Sequence, residues 1–124
     1  MEELIEKEYK LKRTGNTTIR INGILLGRVY DYPDIDFEFS IYQAKNHRFY
    51  FQSIESVLED DDLYKVESFE NLDELYNFID KEFEEYKDFI VKLEKETNEN
   101  IQKIIYKNLF KLTRQMKYRY YMVI

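Results

Sequence analysis

From Leu72 the chain carries apolar residues at alternating steps of four and three: Leu72, Tyr76, Ile79, Phe83, Tyr86, Ile90 and Leu93. That is one face of an α-helix, and Leu75 and Phe89 widen it beyond the narrow seam of a coiled coil. A face this broad needs a large apolar surface to cover it, and the first half of the chain supplies one. There the apolar residues alternate instead, as in strands with one side buried. Strands first and helices second, in 124 residues, make a single α+β domain. The expected architecture is an antiparallel β-meander of four to six strands, followed by one or two long C-terminal helices packed on the sheet. Residues 1–67 read as mainly β, 68–117 as helical, and 118–124 as an extended tail that can form a short last strand.

Within the meander, Glu8 to Arg13 alternates weakly and meets a turn cluster at Thr14–Asn16. "TTIRINGILLGRV" follows, and its Asn22-Gly23 pair suits a two-residue type I′ turn. Such a turn predicts a hairpin with Ile19, Ile21, Ile24 and Leu26 on one side of the sheet. Pro33 interrupts the next stretch, after which Phe37, Phe39 and Ile41 point inward. "KNH" makes another turn, "RFYFQ" a strand of open register, "SIESVLEDDD" a loop or short helical turn, and "YKVES" a last strand before the helices.

Ser68 or Asn71 can cap the first helix, with Asn71 and Glu74 at capping-box spacing. The apolar frame would continue at Thr97 and Asn100, which are polar. It restarts out of phase at Ile101, Ile105, Leu109, Leu112 and Met116. "ETNEN" therefore reads as a kink or the turn of a helical hairpin, with Thr97 and Asn98 as caps of a second helix, and one continuous helix is the alternative. The terminal "YRYYMVI" is rich in residues that favour extended structure, so residues 118–124 are expected to be ordered against the protein rather than to form a nucleic-acid stacking arm.

Several chemistries are excluded by what the sequence lacks. With no cysteine there is no disulfide and no thiolate site. The single histidine, His47, lies in the turn-like "KNHR" and reads as exposed. No cluster has zinc-ligand spacing, "GILLGR" lacks the end of a phosphate loop, and Glu59–Asp62 lacks the alternation of a calcium loop. Asp31, Asp34 and Asp36, with Lys45, faintly resemble a two-metal grouping but run along an extended chain. The chain reads as a non-enzyme with no cofactor and no metal. The longest aliphatic run is Ile24-Leu25-Leu26, and the first ten residues are acidic rather than signal-like, so a cytoplasmic protein away from membranes is expected.

Charge is the informative property. The net charge is −6, yet residues 1–53 balance, residues 54–100 sum to −12 and residues 101–124 sum to +6. Asp73, Asp80, Glu84 and Asp88 recur at near-helical spacing and read as an acidic stripe that could imitate a nucleic-acid strand before a basic groove. Lys103, Lys107, Lys111 and Arg114 form the opposite stripe, an alternative nucleic-acid-binding surface. An antiparallel hairpin would instead set the two stripes side by side and let them neutralise each other.

An acidic, single-domain, cysteine-free chain with a meander and an acidic helix resembles small phage-encoded inhibitors, anti-CRISPR proteins among them. The likeness is one of composition and carries over no residue. It implies a protein-binding module that inhibits a nucleic-acid-handling protein through a basic surface of that partner. A nucleic-acid-binding module using the basic C-terminal helix is the second expectation. A structural homo-oligomer, such as a homodimer held by the helices, is the third.

Overall fold

The computed structural model describes residues 4–30, 37–56 and 61–123, with side chains described as far as residue 108. Five strands, β1 (Lys7–Arg13), β2 (Asn16–Tyr30), β3 (Phe37–Ala44), β4 (Phe49–Glu55) and β5 (Leu63–Phe69), form one antiparallel sheet in sequential order. Two helices follow, α1 (Leu72–Glu82) and α2 (Lys87–Val123), joined through a single 3₁₀ turn at Glu84–Tyr86. The α+β meander-then-helix expectation is met.

The Asn22-Gly23 hairpin is not formed. The chain turns at Thr14–Gly15, and β2 runs straight through Asn22 and Gly23, with Gly23 paired to Lys7 on one side and Ala44 on the other. A Cβ at Gly23 would run into the Gln43 carbonyl and come within 2.8 Å of Ala44 Cα, so glycine serves close strand pairing here. The side chains follow suit. Ile19, Ile21 and Leu25 join one core, while Ile24 and Leu26 join the other. The turn reading presumed one apolar face, whereas this sheet has two.

A bulge at Leu26 sets the strand's later parity. Leu25 pairs Tyr42 and Gly27 pairs Ile41, leaving Leu26 as the extra residue, fully buried. Beyond it Val29 rather than Arg28 faces the helices. On β3, Phe39 and Ile41 are buried towards the helices as the alternation predicts, with Phe37 packed beside them. The hairpin left open in the sequence pairs Gln43 with Phe49 and Phe37 with Glu55.

The helix-facing core joins Leu26, Phe39, Ile41 and Phe51 to Leu75, Ile79, Ile90 and Leu93. The opposite face buries Leu11, Ile21, Tyr42 and Ala44 without any helix. There the sheet curls until the end of β1 meets the start of β5: the Thr14 amide donates to the Tyr64 carbonyl at 2.9 Å, and the Tyr64 amide to Thr14 Oγ1 at 2.8 Å. The Tyr9 and Tyr42 rings lie 4.8 Å apart inside the curl.

Asn71 caps α1 as its spacing predicts, accepting the Glu74 amide at 2.9 Å. The interruption between helices falls elsewhere than expected. α1 ends at Glu82 with Phe83 as its C-cap, and α2 is continuous through "ETNEN". Phe83 is drawn into the sheet, its ring 4.7 Å from Phe39 and 5.8 Å from Phe51. Tyr86 reaches Phe37 at 5.3 Å and Phe89 reaches Phe39 at 5.2 Å. Three rings at steps of three line up best on a 3₁₀ turn, in which residues three apart eclipse, and that turn replaces the α-helix there.

At residues 97–100 the apolar frame is not lost but turns polar. Thr97 is fully buried, and Asn100 Nδ2 donates to the Leu26 carbonyl at 2.6 Å. A Cβ at Gly27 would strike Thr97 Oγ1 and lie 3.2 Å from Leu93 Cδ1. Gly27 lets α2 approach closely, and the bulge at Leu26 supplies the carbonyl that Asn100 satisfies. The C-terminal segment also departs from expectation: α2 continues through Val123, so residues 118–123 are helical rather than an extended strand. No glycine or proline follows Pro33 to stop a helix once started, and extending it needs only one residue fixed per bond gained.

Candidate interaction surface

The acidic stripe is divided by the interruption at Phe83. Asp73 lies in the first turn of α1 and Asp80 near its end, Glu84 in the 3₁₀ turn, and Asp88 in the first turn of α2. All four are exposed. They do not share one helix, so the even one-turn repeat expected of a strand mimic is absent. What remains is an acidic corner around the reversal of the chain, with Asp80, Glu82, Glu84, Glu85 and Asp88 exposed, and Asp73 two turns away along α1. A shallow groove of about 400 Å³ at this corner is lined by Glu84, Glu85 and Asp88 together with Lys87 and Lys92.

Of the basic stripe, Lys103 and Lys107 stand exposed on α2, and the side chains of Lys111 and Arg114 lie outside the described residues. Because α2 does not fold back at residue 97, the basic half is not set beside the acidic half. Among the described residues no ion pair joins Lys103 or Lys107 to an acid. The grouping of Asp31, Asp34 and Asp36 lies outside the described residues, as do Glu59 and Asp60; His47 is exposed in its turn with φ 71°.

The sequence reading missed a polar contact between the two helices. The Tyr76 hydroxyl donates to Asn98 Oδ1 at 2.7 Å. One turn along, Glu94 sits beside Asp80, and this order of contacts sets α1 antiparallel to α2. Burial first, then the hydrogen bond and charge of Asp80, push the Glu94 carboxyl up to about 7. Burial and then the Glu94 charge likewise raise the Tyr76 phenol well above its ordinary value. Glu94 can therefore keep its proton near neutrality and share it with Asp80, which would clip α1 to α2. Thr97 and Asn100, polar at seam positions, were a signal for buried partners on the sheet side, at Gly27 and the Leu26 carbonyl, whereas nothing in the spacing marks Glu94 and Asn98.

Among the described residues no group of three or more acids and histidines is placed to hold a metal ion, and no helix is long and apolar enough to cross a membrane. No protein-family model, no curated protein and no solved structure matches the chain.

Proposed function

We propose that this chain is a non-enzymatic, cytoplasmic protein-binding module whose acidic corner engages a basic surface of a partner. The observation that carries this reading is the exposure of Asp80, Glu84 and Asp88 around the chain reversal at Phe83. Phe83, Tyr86 and Phe89 anchor that corner on the sheet, so the carboxylates are presented on a packed base with little left to order on binding. A partner whose basic groove normally holds a nucleic acid fits this chemistry, and occupying the groove would inhibit it, as the compositional likeness to phage-encoded inhibitors implies. The test is affinity capture from host extract followed by titration of the purified partner. Reversing Glu84 and Asp88 to Lys, with Asp80 left in its contact with Glu94, abolishes binding with an unchanged fold, and wild-type affinity falls as salt rises. Binding that ignores both changes overturns the proposal.

The continuity of α2 favours one second reading, because it carries Lys103 and Lys107 away from the acids. Fluorescence anisotropy with labelled single- and double-stranded oligonucleotides tests direct nucleic-acid binding by this half of the helix. Affinity lost on Lys103→Glu with Lys107→Glu supports it, and no binding at low salt overturns it.

A further inference from the structure

α2 is held to β2 as far as Asn100, whose side-chain amide reaches the Leu26 carbonyl at 2.6 Å. Beyond that contact Ile101 and Ile104 still pack on the helix-facing core, whereas Ile105 is 59% exposed. Facing this stretch of α2 is the end of the sheet where β3 turns into β4. A groove of about 440 Å³ opens between the two, with Ile24 and Phe49 on its sheet side. Small-molecule sites have this range of volume and this make-up, mostly apolar walls with a few polar groups.

Strand register places the polar groups. Ile24 pairs with Gln43, and the Lys45 amide donates to the Asn22 carbonyl at 2.7 Å. Lys45 therefore shares the helix-facing side of the sheet with Gln43 and Ile24, and it lines the groove. Among the described residues no carboxylate pairs with its ammonium. His47 lines the same rim from the turn, at φ 71°. That turn is tied by the His47 amide on the Ala44 carbonyl at 2.9 Å and by the Ala44 amide on the Arg48 carbonyl at 2.8 Å. Glycine takes a positive φ without strain, whereas histidine pays some stability for it and brings an imidazole N–H donor to the groove. Strained residues of this kind cluster where ligands bind. The opposite charge stands apart. The β1 ladder begins at Lys7 opposite Gly23, so Glu6 lines the groove from the far side of β2, two strand spacings or roughly 10 Å from β3.

We propose that this groove binds a small monocarboxylate with an apolar body, its carboxylate on Lys45 and His47 and its body against Phe49, Ile104 and Ile105. One ammonium and one imidazole N–H answer a single carboxylate. Asn108 lines the α2 side and offers an amide N–H as a further donor. A body shorter than the span between the strands stays clear of Glu6, and a second negative charge would meet it. Inorganic phosphate would leave the apolar walls uncovered, and a polyanion would face a chain of net −6. The groove is distinct from the acidic corner: Asp88 and Ile101 are about 20 Å apart along α2 at ~1.5 Å per residue.

Titration of the isotope-labelled full chain with phenylpropionate, followed by NMR, tests the site. The expected Kd is below about 1 mM, with amide shifts confined to Gly23 and Ile24, the turn at residues 44–48 and residues 101–108 of α2. Phenylpropanol, which lacks the charge, and inorganic phosphate, which lacks the body, each bind at least about tenfold more weakly. Lys45→Ala weakens phenylpropionate about tenfold and Ile105→Asp abolishes its binding, both with unchanged melting. His47→Gly separates the site from the fold: it relieves the positive φ, so the variant melts no lower than wild type yet binds several-fold more weakly. Absence of shifts at about 10 mM phenylpropionate, equal binding of phenylpropanol, or a dimer closed across this groove that phenylpropionate does not dissociate overturns the proposal. So does a His47→Gly variant that loses stability and keeps its affinity. Reversing Glu84 and Asp88 leaves the titration unchanged, so the failure of either surface is visible without the other.

Discussion

The two faces of the sheet are buried by different means. One receives a layer of helix: Phe39 and Phe51 meet Leu75, Ile79, Phe83 and Leu93, residues that come later in the chain. The other is covered by the sheet itself, curled so that Leu11, Ile21 and Tyr42 pack among Tyr9, Ile19 and Tyr50. The first core is made between elements and fails if either yields. The second is made within one element and can relax with its curvature. A sheet apolar on both faces also loses the polar–apolar alternation from which strand register is read.

Truncation of matched positions tests that difference. Phe39→Ala removes a fully buried ring lying 4.7–5.5 Å from Phe83, Phe89 and Phe51, and should destabilise by about 3–5 kcal/mol in urea unfolding. Leu11→Ala, equally buried but on an outer strand of the curl, should cost less, about 2–3 kcal/mol. An equal or reversed order would mean that the curled face is as rigid as the helix-covered one. Asn100→Ala is a smaller probe of the joint between α2 and the bulge. It leaves the Leu26 carbonyl without its donor and should cost about 1–2 kcal/mol, with m unchanged.

The smallest effect is one of pH. The Glu94 carboxyl is raised from 4.5 to about 7 by burial and by Asp80, so the folded protein holds this proton more tightly than the unfolded chain does. Its contribution is fully present below about pH 4.5 and is lost as pH rises through about 7. Melting curves of wild type and Glu94→Gln from pH 5 to 8 should diverge, with the wild type falling relative to the variant. Parallel curves would show that Glu94 titrates alike in both states.

What could be read from residue types alone was the part that one neighbour decides. Phe39 and Ile41 face the helices because alternation places them there, and Asn71 caps α1 because its side chain needs only the Glu74 amide. Asn22-Gly23 misleads because its conformation is decided by two flanking strands, whose contacts outweigh a local turn preference. Phe83 interrupts the helix for the sake of rings on β3 and β4, which no local spacing reveals. The acidic stripe was legible as composition and exposure, but its division between α1 and α2 follows from that same ring. Glu94 and Asn98 were invisible as a pair because they acquire meaning only when α1 folds back on α2.

The contact between Thr14 and Tyr64 has a consequence for what can attach to this protein. A meander ends in two strands with unpaired amides and carbonyls, which are templates for strand addition and for aggregation. Here the outer strands occupy each other at one corner across fifty residues of chain, so an incoming peptide finds no open ladder there. The same bond can form only after every intervening strand is in place. In native-state hydrogen exchange the Thr14 amide should therefore be protected to the level of global unfolding, although it sits in a surface turn where fast exchange is the rule.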